Sequence, residues 1–201
     1  MVKMNTLPFS SAAERNQKPI LDQLQELLPP QGTVIEIGSG TGQHAVFFAD
    51  NLPGLLWQPS DRQENLAGLG CRFSATDNDR ILPLLKLDVL RDPWPEHSYE
   101  AAYSANTAHI MSWEAVVAMF AGVSAHLIDH GRFCLYGPFN INNSFTSESN
   151  ALFDQSLRAQ DPQMGIRDMQ AIELLANHHH MKLEYKIAMP ANNFILVLKK
   201  S

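Results

Sequence analysis

Between Val34 and Gly42 the chain reads Val34-Ile35-Glu36-Ile37-Gly38-Ser39-Gly40-Thr41-Gly42, a stretch that few folds accommodate. A β-branched run ends in three alternating glycines, then Gln43-His44 opens an apolar helical pattern. This predicts a buried strand, a tight turn and a helix N-terminus. The glycines permit positive φ and remove the Cβ atoms that would hold a ligand off the backbone. The helix start presents unpaired N–H groups and the positive end of its dipole to something anionic.

The rest of the chain supplies matching elements. Residues 1–16 lack periodicity and read as an arm, with Arg15 near its end. Ile20, Leu21, Leu24, Leu27 and Leu28 then fall at helical spacing, with Pro19 suited to the first turn and Pro29-Pro30 as the stop. Residues 1–31 are thus an N-terminal arm and helix. After the glycine turn a helix runs to about Asn51, where Pro53-Gly54 breaks it. Strands are predicted at 55–61, 84–89, 99–105 and 132–136, and helices through Asn65 to Leu69 and over 113–127. Residues 140–165 are less regular, with a helix over 151–159 and a break at Asp161-Pro162. A helix from Asp168 to about Asn177 follows, and two strands flanking Pro190-Ala191-Asn192-Asn193 read as a closing hairpin. Five strands alternating with helices, plus the hairpin, predict an α/β fold. It is one domain over 1–201, a doubly wound, mostly parallel seven-stranded sheet with a C-terminal antiparallel hairpin.

Charge and composition narrow the partners. Fifteen basic against 21 acidic residues give a formal net charge of −6, which argues against a broad phosphate-binding face and so against general nucleic-acid binding. Cys71 and Cys134 lack metal-ligand spacing and are too few for a disulfide framework. No apolar run approaches membrane-spanning length, and the N-terminus lacks a charged-then-apolar signal pattern. The expectation is a soluble, cytoplasmic protein with no membrane partner. His178-His179-His180 looks like a metal tract, but consecutive helical residues point apart and no second cluster stands at ligand spacing, so no metal is expected.

A dinucleotide fingerprint, G-x-G-x-x-G/A, would place its third small residue at position 43, where Gln43 stands. Here the third glycine comes one residue early, and Glu36 lies two before the first. Glu-x-Gly-x-Gly-x-Gly resembles the first motif of class I S-adenosylmethionine-dependent methyltransferases, which add such a hairpin to a Rossmann-like sheet. More narrowly, the chain resembles the uncharacterised methyltransferase-like 26 family, also called domain of unknown function 938. The matching strings include Glu14-Arg15-Asn16, Glu36 through His44, Trp57-Gln58-Pro59-Ser60-Asp61 and Leu87-Asp88-Val89. They continue with Asn106-Thr107-Ala108-His109-Ile110 and Trp113, Tyr136-Gly137-Pro138-Phe139, Phe153-Asp154, Gly165-Ile166-Arg167-Asp168 and Met189-Pro190-Ala191-Asn192-Asn193. Met164 departs from the pattern, standing where a tryptophan is expected, and changes one pocket wall.

The resemblance implies S-adenosylmethionine as cofactor and an unidentified small-molecule or protein methyl acceptor. It places Glu36, Gly38, Gly40 and Gly42 against the amino-acid and ribose portions of the cofactor. His44 orients the cofactor or caps its helix. Asp61 lies 23 residues beyond Gly38, near the ~20-residue offset from which an acid reaches ribose hydroxyls, and is equally suited to cap a helix. By the resemblance, Asp88 accepts from the adenine amino group with Val89 under the ring, and Arg15 pairs with the cofactor carboxylate. Asn106 and His109, just past a strand end, are the candidates for alignment and acid–base work, with Asn106 also a candidate cofactor contact; alternatively His109 only shapes the loop. Trp113, Tyr136, Arg167, Asn192 and Asn193 are candidates for an acceptor pocket, and Asp168 serves equally as a helix N-cap. Besides methyl transfer, two readings stay open: cofactor binding without turnover, and a nicotinamide-dependent oxidoreductase. Gln43 and the closing hairpin disfavour the latter. The oligomeric state is not legible.

Overall fold

A computed structural model describes residues 7–201. The chain enters through α1 (Ser11–Leu27) and β1 (Gly32–Ile37), turns at the glycines and continues into α2 (Gln43–Asn51) and β2 (Leu55–Asp61). A single 3-10 turn leads into α3 (Leu66–Ser74), β3 (Leu85–Lys86) and β4 (Tyr99–Ala105). Then come α4 (Trp113–His126), β5 (Leu127–Gly137), β6 (Phe139–Asn140), α5 (Glu148–Gln160) and β7 (Arg167–Asp168). The last elements are α6 (Met169–His178), β8 (Met181–Met189) and β9 (Asn193–Lys200).

Seven strands form one sheet in the order β3-β2-β1-β4-β5-β9-β8. β1 to β5 pair in parallel, while β9 runs antiparallel to β5 and β8 antiparallel to β9. This is the predicted doubly wound sheet with a closing hairpin, and it is the Rossmann-like methyltransferase fold. The strand order reverses between β1 and β4, and that switch point is where open α/β sheets bind ligands. β6 and β7 pair separately as a two-stranded ribbon beside the main sheet's end.

The two-residue period of the strands separates two cores. Ile35 and Ile37 face α4 and α6, packing with Val116, Phe120, Phe133 and Ile172. Val34 faces the other way, against Leu24 of α1, Phe48 of α2, Trp57 and Tyr103. Glu36 shares that second face by alternation, and so is a carboxyl carried into an aromatic core.

Several boundaries differ from the sequence expectation. α1 begins at Ser11, not near Pro19: the Ser10 hydroxyl accepts from the Ala13 N–H at 3.2 Å, and Pro19 lies inside the helix. Its first turns carry no apolar period because burial on the sheet begins only at Ile20. Proline at 19 removes just one helical hydrogen bond. The predicted arm therefore shrinks to the segment before Ser11, and its first six residues lie outside the described part. The predicted strand at 84–89 shortens to Leu85–Lys86, since the Asp88 carbonyl accepts from Arg91 and Asp92 and turns the chain. Residues 140–165 hold a 13-residue helix, α5, started by Ser147, whose hydroxyl accepts from Asn150 N–H at 3.1 Å.

Candidate functional site

The carboxyl ends of β1, β2, β3 and β4 open onto one cavity of about 650 Å³. That size is in the range of small-molecule and cofactor sites. Of the predicted site residues, Glu36, Gly38, Gly40, His44, Asp61, Asp88, Val89 and Asn106 line it. They come from four separate strand ends, as the sheet topology requires.

The three glycines do different things. All have positive φ, between 58° and 75°. A Cβ on Gly38 would meet the Thr107 methyl at 2.5 Å, and one on Gly42 would meet Arg72 and Leu69 of α3 at 2.9 and 3.0 Å. A Cβ on Gly40 would meet nothing within 4 Å. Gly40 alone of the three is thus bare backbone open to a ligand; Gly38 and Gly42 make the turn and let neighbours pack. Gly42 does not line the cavity.

Glu36 and Asp61 support this loop. Glu36 Oε2 accepts from Ser39 Oγ at 2.9 Å and from Trp57 Nε1 at 3.0 Å. Burial nevertheless lifts its carboxyl pKa from 4.5 to about 7. Asp61 Oδ2 accepts from the Gly40 N–H at 2.7 Å, and Oδ1 from the Arg62 N–H and Asn65 Nδ2 at 2.7 and 2.8 Å. It therefore does not cap a helix, as the sequence allowed; it pins the glycine turn. A carboxylate offers about four acceptor positions, so one on Oδ2 is left. Asp88 Oδ1 accepts from the Leu90 N–H at 3.0 Å, and Arg91 stands 4.0 Å from Oδ2.

His44 is held at both ring nitrogens. Nε2 bonds Asn16 Oδ1 at 2.8 Å, and the Tyr103 hydroxyl bonds Nδ1 at 3.2 Å. Burial pushes its pKa down to about 4, so the ring is neutral, donating from Nε2 to the amide oxygen and accepting at Nδ1. α2 and α3 also hold the start of α1 over the site: Gln43 Oε1 accepts from the Ser10 N–H at 2.6 Å, and Arg72 bonds the carbonyls of Thr41 and Pro8. Ser10 and Ala13 line the cavity as a result. Sequence reasoning missed both. Arg15, its predicted neighbour in function, sits on the exposed side of α1 and does not line the cavity.

Of the predicted catalytic and acceptor residues, Asn106 alone lines the cavity. Asn106 holds a left-handed backbone, φ 58°, and lines the cavity. His109 is buried beside Phe153, ring centroids 5.2 Å apart, and does not line it. Desolvation, with Arg167 adding to it, pushes the His109 pKa down to about 4. Arg167 spends its guanidinium on main-chain carbonyls: Ala108 at 3.0 Å, Gln163 at 2.9 Å and Met111. Its charge also lies 5.9 Å from the Trp113 ring centroid. Asp168 caps α6 through the Gln170 N–H at 2.9 Å. Tyr136 is buried in the sheet. Asn192 has φ 57° in the hairpin turn, and Asn193 Nδ2 bonds the Pro190 and Ala191 carbonyls at 3.1 Å. Trp113, Tyr136, Arg167, Asn192 and Asn193 are all absent from the cavity wall. Ile110, Met111, Asp161, Gln163 and Met164 stand there instead.

Among the described residues, four carboxylates (Asp61, Glu64, Asp88, Asp161) and Glu36, whose burial favours the protonated form, line the cavity against two arginines, Arg62 and Arg91. Arg62 pairs with Glu64 at 2.9 Å. The site is therefore electronegative.

Solved structures share this architecture. The mitomycin 7-O-methyltransferase MmcR superposes with a TM-score of 0.81 at 14% identity, over 95% of this chain and 55% of that one. Human N-acetylserotonin methyltransferase in complex with SAM gives 0.81 at 14%, over 94% and 53%. CalO1, a methyltransferase in calicheamicin biosynthesis with SAH bound, gives 0.73 at 17%, over 94% and 55%. The chain spans little more than half the length of these proteins, and at such identities the likeness is one of fold. A family model described as a protein of unknown function (DUF938) matches residues 7–200, and the chain belongs to that family.

Proposed function

We propose that this protein is an S-adenosylmethionine-dependent methyltransferase. The observation that carries the reading is the electronegative cavity built from four strand ends around a bare Gly40. Such a cavity suits a sulfonium cation and an ammonium; the pyrophosphate of a nicotinamide dinucleotide would meet carboxylates in it. When bound, S-adenosylmethionine supplies a methyl group already activated for displacement by an acceptor lone pair.

The chain's residues divide the binding between them. Asp61 accepts from a ribose hydroxyl with its remaining lone pair. Asp88 Oδ2 accepts from the adenine amino group, with Val89 as the apolar neighbour of the ring. Gly40, bare of a Cβ, lets the carboxylate, the one anionic group of the cofactor, approach the start of α2 and the N–H groups of its first turn. Asn106 stands at the end of β4 and orients the acceptor. The start of α1, laid across the glycine turn, screens that end of the site from solvent.

One observation favours a second reading, in which the protein holds the cofactor without turnover: His109 does not reach the cavity and is not poised near neutral pH. An acceptor that arrives with a free lone pair needs no protein base, however. S-adenosylhomocysteine at ~100 times its Kd should add about 2.7 kcal/mol of stability in a thermal shift, and NAD none. Stabilisation by NAD alone would reverse the assignment. Labelled S-adenosylmethionine with a cell extract then separates an enzyme from a binding protein: an enzyme transfers label to an acceptor.

A further inference from the structure

We propose that the acceptor end of this cavity takes a small apolar amine, anchored at the Asp161 carboxylate, and rejects acceptors that carry a phosphate or carboxylate. The inference rests on the methyltransferase reading and concerns the part of the cavity which that reading leaves unassigned.

Beyond Asn106 the wall has two sides. Ile110, Met111 and Ala115 form one; Asp161, Gln163 and Met164 form the other. Arg167 ties them together through the Met111 and Gln163 carbonyls, and the Gly165 N–H donates to the His109 carbonyl at 2.9 Å. The surface so fixed is mostly apolar. Methionine side chains are unbranched and polarizable, and adapt to flat or irregular apolar ligands.

The polar group that this end offers to the cavity is the Asp161 carboxylate. Asp161 caps the C-terminus of α5, its N–H bonding the Leu157 carbonyl at 3.0 Å. The negative end of a 13-residue helix dipole and a carboxylate therefore coincide. Asp161 Oδ1 accepts from the Gln163 N–H at 2.9 Å, while Oδ2 has no protein partner among the described residues. The nearby cations are turned to other work. Arg158 bonds Asp154 at 2.7 Å, and Arg167 is spent on carbonyls. The cavity's two arginines stand after β2 and β3, beside Glu64 and Asp88. An anionic acceptor would lie unpaired against Asp161 and the helix end. An ammonium, or the N–H of its free base, completes the carboxylate.

The test is calorimetric titration of protein saturated with S-adenosylhomocysteine, using 2-phenylethylamine and phenylacetate as probes of matched ring and opposite charge. The amine should bind about tenfold or more tightly than the acid, the scale of one charge-assisted hydrogen bond. Asp161→Asn keeps the cap and should bring the two within about twofold. Met164→Lys, on the same side of the wall, should reverse the preference. Equal binding of the two probes to the parent protein, or a preference that neither variant moves, overturns the proposal. Failure of S-adenosylhomocysteine itself to bind overturns the methyltransferase reading, and the acceptor role with it. Its binding without any amine preference overturns the substrate class alone.

Discussion

The two walls of the cavity are built on opposite plans. Along β1, β2 and β3 each polar residue sits at a strand end, a few positions from the turn that presents it: Glu36, Asp61 and Asp88 all reach the cavity. Around α4, α5 and the 161–165 loop, the conspicuous polar residues turn inward to hold the wall up. Arg167 gathers three carbonyls, and Asp154 takes the Ile166 N–H at 2.7 Å and Arg158. What lines the cavity there is largely Ile110, Met111 and Met164, with Asp161 and Gln163. The acidic residues of the first wall open onto the cavity, whereas on the second, Asp161 apart, the charged residues Arg167, Asp154 and Arg158 are structural clamps. The physical difference is the source of support. The strand ends are rigid because the sheet is, whereas a long loop has to be fastened by side chains, since its carbonyls have no ladder to join.

Four perturbations test that division. Arg167→Ala should have the largest effect, because it strips half-buried carbonyls of charge-assisted partners. We expect a loss of roughly 2–4 kcal/mol in denaturant unfolding, with the S-adenosylhomocysteine Kd unchanged within about threefold. Lysine should not restore it, lacking the fork. A collapse of cofactor affinity in step with stability would show that the walls are one unit.

Glu36→Gln comes next. The folded pKa is raised from 4.5 to about 7, so the native state binds the extra proton between those values. The penalty is absent below pH 4.5 and complete above about pH 7, where it reaches about 3 kcal/mol. Glutamine can still accept from Ser39 and Trp57. The variant should therefore gain on the parent as pH rises through this window, read as the difference between two unfolding series. His44 and His109, lowered to about 4, act in the opposite sense: they cost stability as pH falls from 6.5 towards 4. Taking the difference between variant and parent removes that shared trend. A flat difference would mean that Glu36 is ionised in the folded protein.

Asp61→Ala should weaken S-adenosylhomocysteine by roughly 2 kcal/mol, through the lost ribose contact and a loosened Gly40 turn. Arg15→Ala should change the same Kd by less than about twofold. If the two exchange roles, the exposed arginine swings onto the cofactor when it binds, and the N-terminal segment belongs to the first wall.

The smallest effect is expected at His109. With its ring behind the wall, His109→Ala should slow single-turnover methyl transfer less than about tenfold. The parent rate should also show no limb near pH 6.5, since this histidine titrates near 4. A loss of ~10²–10⁴-fold, the usual contribution of a general base, would move it from structure to chemistry.

Much of this was legible in the chain. The strand–glycine–helix stretch, the acidic residue closing 55–61 and the Asn192-containing turn specified the sheet and the hairpin, because these signals depend on two- to four-residue neighbourhoods. The first wall followed from them. The start of α1 was not legible, since its first turns cover the glycine loop rather than the sheet and so carry no apolar period. Nor could spacing tell Gly40 from Gly38 and Gly42: only the packed position of Thr107 and of α3 separates an open glycine from a space-saving one. The sequence by itself determined the fold, the switch point and the row of acidic strand ends, since local backbone preference and side-chain period suffice for those. Tertiary structure alone decided that Arg167 and His109 turn away while Met164 and Asp161 turn in, because that depends on contacts between segments some 50 residues apart, such as Arg167 with the Met111 carbonyl.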